Sequence, residues 1–245
     1  MKLERNERMR SQSIFKRTEL KYLLSASQAA ALKKAIGPYM RLDEHGNTTI
    51  SNVYYDTPDQ RLARSSLQKP IYKEKLRMRS YCVASSEDMV FVELKKKFDG
   101  IVYKRRVSMS KDQGEQYLMG LCPAPEPCQI TREIDYFLSC FPAIRPAMFI
   151  SYDREAYFGK TDEGLRITFD ANILFRDHDI SLDKAPGGSR LLESGQVLME
   201  IKASDAMPLW LAHILSANSI RRIAFSKYGY ACLAKDKREI IRKYA

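Results

Sequence analysis

The chain has 245 residues, of which 44% are hydrophobic and 29% charged, so it is long enough to bury a sizeable core and wholesale disorder is excluded. Lysine and arginine outnumber aspartate and glutamate by 41 to 30, and a net charge of +11 favours a polyanionic partner: nucleic acid, an acidic membrane or a phosphate compound. No segment approaches the ~18 apolar residues of a membrane span, and Met1–Arg10 lacks the apolar region of a secretory signal. We therefore expect a cytoplasmic protein with no integral membrane segment.

The familiar motifs of metal, thiol and nucleotide chemistry are missing from the sequence. The five cysteines are scattered without a C-x-x-C pair, and the three histidines form no H-E-x-x-H motif. No glycine-rich phosphate loop and no G-x-S-x-G elbow occurs. We expect reduced thiols in a reducing compartment, and any phosphate chemistry must use side-chain cations.

Alternating polar and apolar residues predict about eight strands along the chain. Phe98-Asp99-Gly100-Ile101 adds a hairpin signal, because Asp-Gly suits a tight turn. The predicted strands are Ser13–Leu24, Ile50–Asp56, Tyr72–Cys82, Met89–Phe98, Ile101–Met109, Ala147–Phe158, Leu165–Phe175 and Val197–Ala203.

Five helices are predicted between and after these strands, from capping residues, a proline at a helix start and glycine stops. They cover Ser27–Ile36, Ser110–Met119, Thr131–Cys140, Pro208–Ala217 and Ser226–Lys235. No repeat or linker divides the strands, so an antiparallel, mostly β domain with peripheral helices fits best. We expect a charged lead over residues 1–12 and one domain over residues 13–245.

The charged residues follow the strand period of two, which places them on one face of each strand. In Tyr72–Cys82 that face holds four cations, while Leu76 and Met78 point the other way. The same alternation recurs in the other strands. The residues predicted to share the charged faces are Arg17, Glu19, Lys21, Lys73, Lys75, Arg77, Arg79, Glu93, Lys95, Lys97, Lys104, Arg106, Arg154, Arg166, Asp170, Glu200 and Lys202.

Two interpretations of this pattern remain open. The charged face of a one-sided sheet can simply meet solvent. However, solvated faces usually mix both signs, because like charges opposite each other destabilise a sheet. A closed sheet would instead surround a cationic lumen that needs a polyanion, with carboxylates left to hold a divalent metal ion. We interpret Tyr54, Tyr55, Tyr72 and Tyr81 as packing residues rather than base-stacking residues.

Eight segments together resemble the VTC domain, the catalytic domain of the eukaryotic vacuolar transporter chaperone, which also occurs as free-standing bacterial proteins. The resemblance runs from about residue 13 to residue 235 and is specific through the order and spacing of its motifs. The segments are Phe15–Leu24 (FKRTELKYLL), Val53–Pro58 (VYYDTP), Lys75–Ser80 (KLRMRS), Val92–Arg106 (VELKKKFDGIVYKRR), Tyr152–Tyr157 (YDREAY), Leu165–Asp170 (LRITFD), Met199–Lys202 (MEIK) and Phe225–Tyr228 (FSKY).

The resemblance implies an α+β fold, an eight-stranded antiparallel β-barrel tunnel with peripheral helices, as in the triphosphate tunnel and CYTH-like proteins. It implies binding of ATP or another triphosphate and of inorganic polyphosphate, assisted by Mn²⁺ or Mg²⁺. The polymerase members of the family transfer the γ-phosphate of ATP to a growing polyphosphate chain and release ADP.

Motif positions and strand parity together assign the candidate site residues. The catalytic candidates are Arg77, Arg79, Arg154, Arg166 and Lys227. The phosphate-binding candidates are Lys21, Lys75, Lys95, Lys104, Arg106 and Lys202. The metal candidate is Glu200, with Glu19, Glu93 and Asp170 as helpers. Ser226 is expected to cap the last helix and Lys227 to form a mobile cationic lid at one tunnel mouth.

The sequence departs from the family pattern at two positions. Arg17 stands where CYTH hydrolases carry the first glutamate of E-x-E-x-K, which favours the VTC branch over a two-metal triphosphatase. Ala224 stands where the eukaryotic polymerase has a second lysine, although Arg221 and Arg222 are close in sequence. A polyphosphate polymerase, a triphosphatase and a non-catalytic polyphosphate-binding module therefore all remain candidates. Nucleic acid is the less favoured ligand, because the cations follow the strand period instead of clustering on one helix or with exposed aromatic residues.

Overall fold

The computed structural model describes residues 18–68, 70–99, 101–204 and 206–244, with side chains as far as residue 238. The predicted lead over residues 1–12 and the first residues of the first predicted strand, with Arg17, lie outside the described residues. The division at residue 12 therefore stays a prediction. None of the helices in the described part combines the length and the apolar character that a membrane span requires.

One large antiparallel sheet dominates the fold, in the strand order β10-β1-β9-β7-β6-β2-β3-β4-β5, with β8 paired to β7. Eight of its strands have seven or more residues and match the eight predicted strands, so the α+β class is confirmed. The two additional strands have two residues each. The strands are β1 (Thr18–Leu24), β2 (Met40–Asp56), β3 (Tyr72–Ser80), β4 (Met89–Phe98), β5 (Ile101–Ser110), β6 (Arg145–Gly159), β7 (Arg166–Arg176), β8 (Ser189–Arg190), β9 (Val197–Ala203) and β10 (Arg222–Ile223).

The sheet curls around a lumen but is not closed by backbone pairing. Among the described residues, no ladder joins β5 at one edge to β1 or β10 at the other. Side chains cross the gap instead: Lys95 on β4 donates a hydrogen bond to Glu19 on β1 over 3.0 Å. The pairing of Phe98 with Ile101 confirms the predicted hairpin between β4 and β5.

Strand β2 is much longer than the sequence predicted. Its first part, from Met40 onward, is polar and lies outside the predicted strand Ile50–Asp56. It pairs with the end of β6, from Met40 opposite Gly159 to Leu42 opposite Tyr157. The register then shifts before Asn47, and Gly46 takes a positive φ of 56° there, which suits a glycine. Residues 40–49 therefore form an arm before the predicted strand, paired with β6 over residues 40–42 and again from residue 47.

In the described part of the chain six helices cover the outside of the sheet, and α2 among them was not predicted from the sequence. At the start of helix α2 the N–H of Arg61 donates to the Thr57 hydroxyl over 3.0 Å. The N–H groups of Leu62 and Ala63 donate to the carboxylate of Asp56, at the end of β2, over 2.9 Å each. The helices are α1 (Ala26–Ile36), α2 (Arg61–Gln68), α3 (Lys111–Leu118), α4 (Gln129–Cys140), α5 (Leu209–Ala217) and α6 (Lys227–Tyr244).

The apolar faces of the strands form the core beneath these helices. On β3 and β4, Leu76, Met78, Val92 and Leu94 are fully buried and belong to the cluster that includes Phe137 of α4. Because successive strand residues point to opposite faces, this packing turns the charged residues of the same strands inward. The inward charged face, one of the two interpretations of the pattern, is the one observed.

Candidate functional site

The inward faces of the sheet line a cavity of about 1120 Å³. Every cation proposed from the sequence as a site residue lies on its wall, and so do the carboxylates Glu19 and Glu200. Eleven cations from seven strands and the start of α6 therefore converge on one space: Lys21, Lys75, Arg77, Arg79, Lys95, Lys104, Arg106, Arg154, Arg166, Lys202 and Lys227.

Glu93 on β4 lies behind the wall and is only 1% exposed. Arg77 donates to it through Nε (2.8 Å) and Nη2 (2.7 Å), and the Nζ of Lys104 lies 2.7 Å away. The Nε atoms of Arg79 and Arg106 approach within 3.9 and 3.5 Å. Burial alone would raise the pKa of Glu93, but these cations hold it well below its usual range. One ionised carboxylate thus fixes four cations.

Arg77 and Arg79 also contact polar groups of neighbouring strands. Arg77 donates through Nη1 to the hydroxyl of Tyr54 over 3.0 Å. Arg79 donates to the Asn52 side chain (3.0 Å) and to the hydroxyl of Tyr152 (3.1 Å). Both guanidinium groups are thereby held in defined orientations, which reduces the reorganisation needed when an anion binds.

A second cluster lies across the lumen, around Asp170 and Glu200. Arg154 binds the fully buried Asp170 in a bidentate pair of 2.6 and 2.7 Å. Lys227 donates to Asp170 and also to Glu200, the latter over 3.3 Å. Burial opposes ionisation of Glu200, but Lys21 and Lys227 outweigh it and keep the pKa of Glu200 well below normal. Glu200 is therefore ionised at neutral pH.

Three of the lining cations have no ion-pair partner among the described carboxylates: Lys75, Arg166 and Lys202. Lys75 donates to the Ser226 hydroxyl over 2.9 Å. Burial, followed by repulsion from Lys21 and Lys95, pushes the pKa of Lys75 well below its ordinary value. Burial likewise lowers the pKa of Lys202 to about 8, although Glu200 and Glu19 oppose that shift. The empty cavity thus carries more positive charge than its carboxylates can balance.

The residues that could hold a divalent cation are Glu19 and Glu200. Both contact Lys21, at 3.1 and 3.2 Å, and both face the cavity. Glu93 and Asp170 lie behind the wall in ion pairs with cations, so the structure does not bring these two proposed helpers to the cavity surface. Within the described ranges, no group of three histidine, cysteine or acidic side chains forms a ready metal cage. Two carboxylates fit a Mg²⁺-type ion completed by water and phosphate oxygens.

The beginning of α6 differs from the expected mobile lid. Ser226 does cap the helix, since its hydroxyl accepts from the N–H of Gly229 over 3.1 Å. Lys227 is only 8% exposed and is ion-paired, so it belongs to the tunnel wall and not to an exposed mouth. Tyr228 stacks on Tyr54 at a centroid distance of 4.7 Å and donates to Asp56, which anchors this end of the helix.

The interpretation of the tyrosines as packing residues is confirmed for the two that are buried and stays a prediction for the two that are partly exposed. Tyr54 and Tyr55 are buried, whereas Tyr72 and Tyr81 are 47% and 42% exposed. Tyr72 and Tyr81 stand at opposite ends of β3, where the strand leaves the core. The alternation of buried and lumen-facing side chains along β3 therefore does not extend to these two tyrosines.

Several residues of the cavity wall were not predicted as site residues from the sequence. Tyr152 shares the inward face of β6 with Arg154, so strand parity could have identified it as a wall residue. The polar arm of β2 contributes further residues that no local signal marked as part of a site. The missed wall residues include Asp43, His45, Gly46, Thr48, Tyr152, Ser226 and Tyr228.

The chain belongs to the VTC domain family, whose model matches residues 16–234. No curated protein sequence matches the chain. A candidate adenylate cyclase from Bacillus halodurans has a similar structure, with a TM-score of 0.55 and 16% identity over 88% of this chain and 96% of that one. A candidate adenylyl cyclase from Hippeastrum with a dominant triphosphatase activity gives 0.53 and 16%, over 88% and 95%. At these identities the likeness shows a shared fold.

Proposed function

We propose that this protein binds nucleoside triphosphate and inorganic polyphosphate in the tunnel and transfers phosphoryl groups between them. The favoured reaction is that of a polyphosphate polymerase, in which the γ-phosphate of ATP joins a polyphosphate chain and ADP leaves. Membership of the VTC domain family supports this proposal. A triphosphatase using the same tunnel is the second candidate, favoured by the fold shared with the Hippeastrum protein.

The observation that carries the proposal is the imbalance of charge inside the cavity. Eleven cations line it, and only Glu19, Glu93, Asp170 and Glu200 form ion pairs with them among the described residues. Buried like charges repel one another, so an anion that enters such a wall stabilises it. A phosphate chain supplies negative charge at each unit along its length, which matches cations spread over the whole lumen.

The chemistry assigned to the wall is electrostatic. Arginine forks bind phosphate oxygens bidentately, whereas lysines act as point charges. The charge that develops on the transferred group and on the leaving oxygen would be stabilised by Arg77, Arg79 and Arg154, whose positions are fixed by Glu93 and Asp170. No nucleophilic side chain is required, because the acceptor is another phosphate or water.

A Mn²⁺ or Mg²⁺ ion fits beside Glu200, with Glu19 as the second carboxylate. When bound, such an ion supplies charge neutralisation and orientation of the phosphate chain. The role of Lys21 is then to hold both carboxylates close together, since its Nζ contacts each of them.

The position of Ala224 bears on the type of transfer. Arg221 and Arg222, which are close to it in sequence, are both exposed and do not line the cavity. They therefore do not replace inside the tunnel the lysine that the eukaryotic polymerase carries at this place. An assay of the reaction products therefore decides between the polymerase and the triphosphatase.

The deciding experiment is incubation with ATP and either Mn²⁺ or Mg²⁺, followed by separate assays of polyphosphate, ADP and free phosphate. ADP formed together with polymer supports the polymerase, and free phosphate without polymer supports the triphosphatase. A rise in melting temperature with tripolyphosphate but no turnover indicates a binding module. A rise with duplex DNA and none with tripolyphosphate refutes the proposal.

A pair of variants tests the assigned carboxylate. Glu200→Gln is expected to abolish metal-dependent turnover while polyphosphate binding persists. Glu155→Gln is the matched control, because Glu155 also pairs with a lysine, Lys33, but on the outside of the sheet. Unchanged turnover in Glu200→Gln removes Glu200 from the mechanism.

A further inference from the structure

A second cavity, of about 300 Å³, is lined from the face of the sheet that points away from the tunnel. Along β6, Tyr152 and Arg154 line the tunnel, so Ser151 and Asp153, which alternate with them, point the other way. A volume at the lower end of the range for ligand sites suits a small molecule. This outer cavity has as its polar lining residues Thr49, Ser151, Asp153, Asn172 and Arg190.

A β-bulge shapes the outer cavity. Ser151 pairs with Leu174 and Asp153 with Ala171, so β7 carries one residue more than β6 between these pairs. Asn172, inside the bulge, has a positive φ of 47°, a conformation in which asparagine is enriched. Bulges re-aim side chains, and this one brings the Asn172 amide into contact with both charged groups of the cavity.

Asp153 and Arg190 give the outer cavity one charge of each sign. The Asp153 carboxylate accepts from the Thr49 hydroxyl over 2.7 Å and from Nδ2 of Asn172 over 2.8 Å. Nη1 of Arg190 donates to Oδ1 of Asn172 over 3.5 Å, which is long for a hydrogen bond. Among the described residues, neither Asp153 nor Arg190 has an ion-pair partner. A ligand that carries both a cation and an anion would pair with both of them.

Ser151 adds a polar group that a ligand can satisfy. It is 1% exposed, and its Oγ atom has no hydrogen-bond partner within the part of the chain that the structure describes. A buried hydroxyl left without a partner costs free energy, so binding a molecule that supplies the missing bond is favoured. Because Ser151 lines the outer cavity, a molecule bound there can supply that bond.

The Asn172 amide shows the polarity that the two charged groups accept. It donates to Asp153 and accepts from Arg190. An α-amino acid has the same polarity with full charges, since one carbon atom carries an ammonium donor and a carboxylate acceptor. Charge-assisted hydrogen bonds of this kind are stronger than neutral ones, and arginine can bind a carboxylate with two of them. Leu174 and Pro186 supply apolar lining for the side chain of such a ligand.

We propose that the outer cavity binds a free α-amino acid. The ammonium group lies on Asp153, the carboxylate lies on Arg190, and Ser151 provides a further hydrogen bond. The opposite charges of the two groups select a zwitterion over a simple cation or anion. This site is separate from the phosphate-binding wall and does not depend on the proposed function.

The experiment screens the common L-amino acids for a rise in melting temperature and measures the dissociation constant of the best one by calorimetry. At least one is expected to stabilise the protein, because a ligand that binds only the folded state raises the free energy of unfolding. The amine that lacks the carboxylate of this amino acid, and the acid that lacks its ammonium group, should each bind at least about tenfold more weakly. Equal binding of the amine or the acid overturns the proposal, and so does the absence of a shift with every amino acid.

Two substitutions locate the bound amino acid. Asp153→Asn and Arg190→Gln should each weaken its binding about 10- to 100-fold, since each removes one charge-assisted interaction. The matched controls are Glu193→Gln and Arg222→Gln, which remove exposed charges that do not line the outer cavity and should leave the affinity unchanged. Ser151→Ala should weaken binding without lowering the stability of the protein alone, because its Oγ has no partner there.

Stabilisation by tripolyphosphate serves as the control for folding in each variant, because these substitutions leave the tunnel intact. Arg190 is exposed, so its replacement tests the site even if Asp153→Asn is unstable. Amino acid binding that is unchanged in both Asp153→Asn and Arg190→Gln refutes the site. If tripolyphosphate does not stabilise the unmodified protein while an amino acid does, the proposed function fails and the amino acid site stands.

Discussion

Replacing Glu93 by glutamine tests the charge balance of the tunnel most directly. Glutamine keeps the size of the side chain but removes the negative charge that four cations share. Breaking a buried ion pair by removing one partner costs about 3–5 kcal/mol. We therefore expect the free energy of unfolding of the empty protein to fall by about that amount.

The same substitution should strengthen the binding of polyphosphate. Glu93 carries a unit charge behind Arg77, on the far side of that side chain from the lumen. At a separation of ~6 Å and an effective dielectric constant of ~20, its repulsion of one phosphate charge is about 3 kcal/mol. Removing it should lower the dissociation constant tenfold to 100-fold, with solvent screening favouring the smaller value.

The assay is urea unfolding with and without tripolyphosphate, together with calorimetric titration at constant ionic strength. Glu133→Gln is the control, because Glu133 also bridges β4 and β5 by pairing with Lys96 and Arg105, but on the outer face. Surface pairs of this kind contribute at most about 1 kcal/mol. A Glu93→Gln protein that matches the control in both stability and affinity would refute the electrostatic account of the tunnel.

Three further predictions follow from the contacts of the wall. Lys75→Met should raise the stability of the empty protein and weaken polyphosphate binding, since Lys75 is repelled by Lys21 and Lys95; lower stability in thermal unfolding without ligand contradicts this. Affinity for long-chain polyphosphate should increase as pH falls from 9 to 6. Partial burial is the main cause that lowers the pKa of Lys104 to about 7. A bound anion raises this pKa again, so the protein takes up protons when polyphosphate binds. Equal heats of binding in buffers of different ionisation enthalpy would disprove this proton uptake. Asp56→Asn should destabilise the fold by about 2–4 kcal/mol in urea unfolding, because the carboxylate accepts from two N–H groups of α2 and from Tyr228; a loss below ~0.5 kcal/mol would show that these bonds are replaced.

The strand period predicted most of the side chains that face the tunnel, although Lys73 and Lys97, which were expected on the same faces, do not line the cavity. Lys75, Arg77 and Arg79 alternate with Leu76 and Met78, and the structure puts the first group inside and the second in the core. Parity works here because a shift of one residue would bury the cations under the helices, so the register is strongly specified. The convergence of all the strands on one lumen follows from the curl of the sheet, which the family resemblance supplied.

Contacts between residues far apart in sequence could not be predicted in this way. Even over six residues the local capping pattern was insufficient, because the N–H of Leu62 donates to Asp56 at the end of β2. The arm of β2 is polar, and its strand structure depends on pairing with β6, about a hundred residues later. For the same reason Asp43, on this arm, could not be assigned to the cavity wall. The burial of Lys227 likewise depends on Asp170 and Glu200, which come from two other strands.

The arrangement of charge links the stability of this protein to its ligand. Glu93 and Asp170 fix the positions of the arginines from behind the wall, while Lys75, Arg166 and Lys202 face the lumen without an ion-pair partner among the described residues. The cations that make an anion bind tightly are therefore the ones that destabilise the empty fold. A ligand that binds only the folded state adds RT ln(1 + [L]/Kd) to the free energy of unfolding. Substituting a lumen cation that lacks a carboxylate partner should thus raise the stability of the empty protein and reduce the stabilisation that a ligand adds. Removing a carboxylate behind the wall should lower the stability of the empty protein and increase the stabilisation that a ligand adds. Opposite signs in these two groups of variants would distinguish a tunnel built for a polyanion from a charged cavity of purely structural origin.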